Sequence, residues 1–313
     1  MKILLVSNDV SLTGAPIMLL NLAKRLKDKN NDVNFWSIFD IPSYCKSLQN
    51  EFESIGSVKY FHGCRPSDDT INIAKKEYNL IICNTIETLE IAYRLDAYLW
   101  YHEMFVNNVD IMNKVKIISL SNKHTKYLQQ LGVNSVIATY NGTVCYKPVK
   151  KEHSDKINII LIGSFIPLKN QLAAIDIVKP FDVHLTMVGS FINYETGNDD
   201  YYKQVVEYAK EQNVNCTFIN TQPHETVLKM IQECDILLCP SIQDTYPRCV
   251  IEALEYGRVV IMTNNTCIDF DDLLVKPYSS KCVSINNMQT VLGKMLQSKL
   301  YRRIERFKEN INK

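Results

Sequence analysis

Apolar and polar positions along this chain fall into blocks. Nearly continuous apolar runs occupy Lys2–Ser7, Val33–Ile38, Leu80–Cys83, Val115–Leu120 and Val136–Thr139 in the first half. In the second half they occupy Ile157–Ile162, Val183–Val188, Cys216–Ile219, Ile236–Cys239 and Val259–Thr263. Each has strand length and lacks the alternation of a half-exposed strand, so each reads as a strand buried on both faces. Helix-like stretches separate them, among them Ile17–Lys29, Glu87–Leu95, Lys123–Leu131, Lys203–Gln212 and Glu225–Glu233. This rhythm predicts an α/β protein with parallel sheets covered by helices. Ten strands exceed what one doubly wound sheet usually needs, and the pattern restarts at Ile157 after a charged break, Cys145–Lys156 (CYKPVKKEHSDK). Two Rossmann-like, doubly wound domains are expected, 1–148 and 149–313, with a ligand in the cleft between them. The tail Met288–Lys313 reads as helical and basic, with no following strand.

Composition narrows the class. The chain has 313 residues, 46% hydrophobic and 22% charged, which suits a soluble globular protein with real cores. A net charge of +1 argues against nucleic acid or an anionic membrane as a general partner. A peripheral membrane contact through local basic patches stays open. The ten cysteines include no Cys-x-x-Cys pair, so they read as free, reduced thiols of a cytoplasmic protein. No apolar run is long enough for a transmembrane segment, and the opening MKILLVSND has strand length.

The richest stretch is Cys239–Gly257, CPSIQDTYPRCVIEALEYG. A buried strand breaks at Pro240-Ser241 into a polar loop, and a helix starts near Arg248 and stops at Gly257. Asp244 and Glu252 flank the loop-to-helix junction with seven residues between them. A helix N-terminus leaves backbone N–H groups unpaired and favours a phosphate. Two carboxylates beside it can hold hydroxyl groups. Phosphate and hydroxyls together point to a nucleotide-sugar, although acidic residues near a helix start are also favourable on structural grounds alone.

PSIQDTYPRCVIEALEYG resembles the acidic-x7-Glu signature of the retaining group 1 glycosyltransferases (glycosyltransferase family 4, GT-B fold). The usual first Glu is Asp244 here, and the usual Gly-Phe-Gly of the loop is Thr245-Tyr246-Pro247. The resemblance implies that Asp244 holds donor-sugar hydroxyls and Glu252 the ribose. Tyr246, Arg248, Cys249 and Val250, at the same junction, are placed with the nucleotide-binding residues. Gly163-Ser164-Phe165-Ile166-Pro167-Leu168-Lys169-Asn170 resembles the family's Gly-(Arg/Ser)-x-x-x-x-Lys-(Gly/Asn) phosphate segment. Gly163 would allow close backbone approach, and Lys169 would neutralise the diphosphate. Ser164 stands where many members carry Arg, so Arg248 is expected to restore that charge. Thr13-Gly14-Ala15 resembles the family's Gly-Gly-Ala loop, with Gly14 and Ala15 leaving room for the donor; an ordinary strand–helix loop is the competing reading. Trp100-Tyr101-His102-Glu103 resembles the family's strand-end His, which places His102 against the donor sugar. Asn84-Thr85, at another strand end, could line an acceptor but reads better as structural. The Thr221-Gln222-Pro223-His224 loop corresponds to where the family holds the base, through Thr221 and backbone groups.

Asp269-Phe270-Asp271 matches the metal-binding Asp-x-Asp of the other large glycosyltransferase fold, but in this position it reads as a loop or helix start, and no metal site is expected. The implied activity is a retaining, metal-independent transfer from a UDP-, GDP- or other nucleoside diphosphate sugar. The acceptor hydroxyl would be on a glycan, lipid-linked or protein-linked molecule. No cofactor beyond the donor is expected. His102, Asp244 and Lys169 are the expected catalytic residues. A nucleotide-sugar-binding protein without turnover and a nucleotide-sugar epimerase remain as alternatives.

Overall fold

The computed structural model describes residues 1–11, 14–40, 46–137, 156–193, 196–268 and 280–299. They fall into two compact units, Met1–Asn141 and Gly142–Lys313. The expected boundary near residue 148 lies outside the described residues.

Unit 1 runs β1 (Lys2–Ser7), α1 (Gly14–Asp28), β2 (Asp32–Ser37), α2 (Lys46–Ile55), β3 (Val58–Tyr60), α3 (Asp68–Glu77) and β4 (Leu80–Asn84). It continues α4 (Leu89–Leu95), β5 (Tyr98–Trp100), α5 (Val109–Met112), β6 (Lys116–Ile118), α6 (Asn122–Gln130) and β7 (Val136–Ile137). The sheet order is β3-β2-β1-β4-β5-β6-β7, all parallel. The order reverses direction between β1 and β4. A crevice forms at such a switch point, outside the carboxyl ends of the strands.

Unit 2 runs β8 (Ile157–Ile162), α7 (Gln171–Val178), β9 (Val183–Val188), α8 (Asp200–Glu211), β10 (Cys216–Ile219) and α9 (His224–Glu233). It continues β11 (Ile236–Cys239), α10 (Arg248–Glu255), β12 (Val259–Thr263), β13 (Lys281–Val283) and α11 (Ile285–Ser298). Its parallel sheet has the order β10-β9-β8-β11-β12-β13, with the switch between β8 and β11. Alternate residues of β8 enter opposite cores. Ile159 and Leu161 pack with Ala174, Ile175, Val205 and Leu292, while Ile160 packs with Ile231, Val250 and Leu254. Both faces are therefore apolar, which is why these strands read as unbroken runs. Fully burying such a side chain stabilises by roughly 1.5–3 kcal/mol.

The ten anticipated strands are present, with shifted ends. Val115–Leu120 contracts to β6, and of Val136–Thr139 the described part is Val136–Ile137. β3, β5 and β13 were not among those ten runs, although the end of a strand at Trp100 was expected. Each is three residues long, too short to show a buried run. The last expected helix corresponds to α11, and residues 300–313 lie outside the described residues. Among the described residues, no helix is long and apolar enough to cross a membrane. The eight described cysteines are free, as the spacing implied.

Candidate active site

α10 begins after Pro247, whose fixed φ suits a helix start, and no side chain caps it. Val250, Ile251, Ala253 and Leu254 bury its apolar face. It ends where Gly257 adopts φ +72°, with the Gly257 and Arg258 N–H groups closing onto Leu254 and Ala253 carbonyls. Glu252 is fixed on this helix with its side chain 5% exposed. Its Oε1 accepts from Arg248 Nη2 at 2.9 Å, and His224 Nε2 lies 2.9 Å from the same oxygen. Burial opposes ionisation of Glu252, but the His224 hydrogen bond and the Arg248 charge outweigh it and hold the carboxyl below its ordinary value. Both interactions fall on Oε1, which leaves Oε2 for a ligand hydroxyl.

Lys169 forms an ion pair with Asp244 Oδ2, joining the β8–α7 loop to the β11–α10 loop. Burial works against the lysine's charge, but Asp244 prevails and raises Lys169 above its ordinary value. The same two loops are laced by Ile242 N–H to the Leu168 carbonyl at 2.9 Å and Asn170 Nδ2 to the Pro240 carbonyl at 3.2 Å. Phe165 anchors the first loop, its ring edge-on to Phe191 and Tyr202 at 5.4 and 5.2 Å. Gln171 Nε2 donates to the Ser164 carbonyl at 2.9 Å. Gly163 lies against the Lys169 stem, and a Cβ there would come 3.1 Å from Lys169 Cγ. Cys249 Sγ lies 3.8 Å from the Ile162 carbonyl, so the head of α10 adjoins the end of β8. Tyr246 is half-buried and packs on the α10-side core, which also holds buried Val250. Thr221 is exposed, its N–H bonded to Asn220 Oδ1 at 2.8 Å.

The structure thus gathers Gly163, Lys169, Asp244, Arg248, Cys249 and Glu252 at the carboxyl edge of β8 and β11. Arg248 is not a solvated surface charge: its side chain is 15% exposed, paired with Glu252, and its Nε is buried without a partner. Two contributors were not anticipated. His224 was read only as loop backbone, yet its side chain reaches Glu252. Gly189, after β9, was overlooked; a Cβ there would lie 2.0 Å from the Gly163 carbonyl oxygen. Only glycine lets β8 and β9 end so close together. A Gly directly after an apolar strand was the available signal.

Unit 1 holds the other candidates. Gly14 and Ala15 form the first turn of α1, and a Cβ on Gly14 would meet nothing within 4 Å. His102 follows β5, with its ring 5.1 Å from Trp100. Burial, with a smaller contribution from His124, lowers it to about 3, so it is neutral near pH 7. Glu103 accepts from the His102 N–H at 3.0 Å, and burial, reinforced by Glu87, raises it to about 7. Asp269 and Asp271 lie outside the described residues. Among the described residues, no group of three or more His, Cys, Asp or Glu side chains could hold a metal ion.

Two parallel doubly wound units, each with loops at the carboxyl ends of its strands, are the architecture of the GT-B fold. Residues 146–269 match the family of group 1 glycosyl transferases. Among curated relatives, the capsular polysaccharide biosynthesis glycosyltransferase CapH of Staphylococcus aureus is 24% identical over 247 residues, covering 77% of this chain. The match spans 62% of CapH's own length. Among solved structures, Anabaena HepE in complex with UDP superimposes with a TM-score of 0.76 at 16% identity, covering 96% of this chain and 92% of that one. Sucrose-phosphate synthase from Thermosynechococcus elongatus gives 0.75 at 13% identity, covering 98% and 93%.

Proposed function

We propose that this chain is a retaining, metal-independent glycosyltransferase that uses a nucleoside diphosphate sugar, with UDP-sugars first among the candidates. The observation that carries the reading is the pair of half-buried polar clusters at one strand edge, Lys169–Asp244 and His224–Arg248–Glu252. In each a carboxylate is bound through one oxygen, by Lys169 in the first and by Arg248 and His224 in the second, so its other oxygen can accept from a sugar or ribose hydroxyl. The binding of UDP by the HepE neighbour, at the level of fold, favours the uridine nucleotide.

In the transfer, the bond from the sugar's C1 to the diphosphate oxygen breaks and its electron pair stays on the diphosphate. The acceptor oxygen bonds to C1 on the same face and passes its proton to the departing diphosphate oxygen. Lys169, Arg248 and the N-terminal N–H groups of α10 stabilise the growing negative charge. Asp244 orients the sugar and Glu252 the ribose. His102, neutral near pH 7, serves as a hydrogen-bonding group toward the sugar rather than as a cation. The acceptor is a hydroxyl of a glycan or a lipid- or protein-linked saccharide, and the CapH relative favours a polysaccharide. A cytoplasmic location fits the free thiols.

The test is a thermal-shift screen of UDP-, GDP- and other nucleoside diphosphate sugars, followed by turnover of the best donor with excess EDTA. A donor at 100 times its Kd should stabilise by about 2.7 kcal/mol. No shift with any donor would sink the reading, as would turnover that vanishes with EDTA and returns with manganese.

A further inference from the structure

The segment that carries His102 belongs to no helix or strand, yet its backbone is held at three successive carbonyls. His124 Nε2 lies 3.0 Å from the Glu103 carbonyl oxygen, Tyr127 Oη donates to the Met104 carbonyl at 2.7 Å, and Tyr101 Oη donates to the Phe105 carbonyl. Each of these groups sits on a ring. Two of the three rings come from α6, where a spacing of three residues puts His124 and Tyr127 on one face of the helix. Ser121 caps that helix by accepting the His124 N–H at 3.0 Å.

The His124 imidazole can serve in only one form. The Leu120 N–H donates to its Nδ1 at 3.2 Å, so Nδ1 carries no proton and Nε2 must carry it. Nε2–H then donates to the Glu103 carbonyl. The ring is 0% exposed and stacks on Tyr101, with centroids 6.1 Å apart. Burial lowers His124 to about 4, which keeps the neutral ring in place near pH 7. Burial also pushes the Tyr101 phenol up, so it stays a donor.

His102 does little to set its own position. Its Nε2 is buried without a partner, and its ring meets Trp100 at 5.1 Å. Its N–H donates to the Glu103 carboxylate at 3.0 Å, a bond within the same segment. The place of the ring therefore depends on the carbonyls that follow it. A tie needed only for stability would be met more simply by apolar packing. Leu128, one turn on from His124, is also 0% exposed and needs no partner.

We propose that His124 and Tyr127 are positioning residues for His102: by holding the Glu103 and Met104 carbonyls they set where its imidazole stands. The use of that imidazole, a contact with the donor sugar, rests on the transferase reading. The placement rests on the hydrogen bonds alone.

The experiment compares wild type with Tyr127→Phe, which loses only a hydroxyl, and His124→Leu, which loses both ring nitrogens. His124→Gln, whose amide can still donate to Glu103, is the rescue, and each substitution is repeated on His102→Ala. Imidazole NMR reads placement directly, His102→Ala assigning the His102 signal among the six histidines. That signal should shift in Tyr127→Phe, while those of His184 and His224, in unit 2, stay where they are. Misplacing a group by about 1 Å can cost on the order of a hundredfold, so kcat for transfer should fall roughly ten- to a hundredfold with UDP affinity unchanged. His124→Gln should lose less than His124→Leu. On His102→Ala the same substitutions should cost less than about twofold, because residues that act through one group are not additive. A loss from Tyr127→Phe that persists in full on His102→Ala would overturn the proposal. So would a His102 signal unmoved in Tyr127→Phe, whatever the melting point, since the hydrogen bonds would then serve only the fold. If the wild type neither binds UDP nor transfers sugar, the transferase reading fails, and the imidazole spectra alone decide the placement.

Discussion

Glu252→Gln tests the nucleotide site most directly. The substitution keeps the shape of the side chain and removes the charge that draws Arg248 Nη2 and His224 Nε2 to one oxygen, each at 2.9 Å. If Oε2 accepts from the ribose, a charge-assisted hydrogen bond worth about 1.5–3 kcal/mol becomes a neutral one or is lost. At about 1.4 kcal/mol per tenfold, UDP affinity should fall by roughly 10- to 100-fold. The fold should also feel the change, because Arg248 loses its counter-charge at a side chain only 15% exposed. Removing one partner of a fully buried pair costs about 3–5 kcal/mol. Here His224 is 34% exposed and the guanidinium retains some contact with water, so about 2 kcal/mol is expected. In a unit of this size that lowers Tm by about 4–8 °C. Calorimetric UDP titration beside a thermal melt reads both effects. A folded Glu252→Gln protein with wild-type UDP affinity would remove Glu252 from nucleotide binding and leave the His224–Arg248–Glu252 cluster a structural tie.

Three further outcomes follow from the same geometry. Arg248→Ala and Lys169→Met should each reduce transfer mainly through kcat, since the charge they meet grows as the diphosphate departs, and Ser164→Arg should recover part of the Arg248→Ala loss; near-normal kinetics for both single variants would refute the role. Gly189→Ala would set a Cβ 2.0 Å from the Gly163 carbonyl oxygen, so it should destabilise the protein by several kcal/mol and disorder the Lys169 loop; unchanged melting and donor binding would contradict the close approach of β8 and β9. Unit 1 should weaken in acid because burial lowers fully buried His124 to about 4 from an ordinary 6.5. The unfolded chain then binds that proton first, so the contribution, about 3 kcal/mol, is complete above pH 6.5 and lost as pH falls toward 4. Glu103, raised to about 7, acts in the opposite sense, so the acid loss should steepen in Glu103→Gln; both tryptophans, Trp36 and Trp100, lie in unit 1 and report its unfolding by fluorescence, and a flat profile from pH 6.5 to 4.5 in that variant would refute the assignment.

How far the site could be read from the chain depended on whether its parts were local. The loop-and-helix unit from Cys239 to Gly257 was legible because a strand, a breaker, two spaced carboxylates and a glycine stop follow one another directly. The Gly163–Lys169 loop was legible for the same reason. The Lys169–Asp244 pair was not, because 75 residues separate partners that meet only once β8 and β11 lie side by side. His224 stayed hidden similarly: α9 and α10 must pack before its imidazole reaches Glu252. Short strands such as β3 and β13 carry too few apolar residues to announce themselves, and their pairing comes from the long neighbours β2 and β12. Asn84-Thr85 read as structural because a polar pair at a strand end usually finds partners in the loops. Only the three-dimensional register shows that these do not.

The two units arrange polar chemistry at their strand edges in opposite ways, and the contrast bears on what each one binds. Unit 2 pairs largely buried charges, Lys169 with Asp244 and Arg248 with Glu252, and burial opposes the charge of Lys169 and of Glu252. On the proposed function, such pairs hold cations in place for a multiply charged ligand and leave one oxygen of each carboxylate for a hydroxyl. Unit 1 places uncharged donors and acceptors, among them Ser7, Asn84 and Trp100, at its strand ends, and burial keeps His102 neutral beside them. An uncharged edge gives nothing to a diphosphate, whose desolvation it could not offset. The same doubly wound scaffold therefore presents an anion-handling edge in one unit and a neutral, hydrogen-bonding edge in the other.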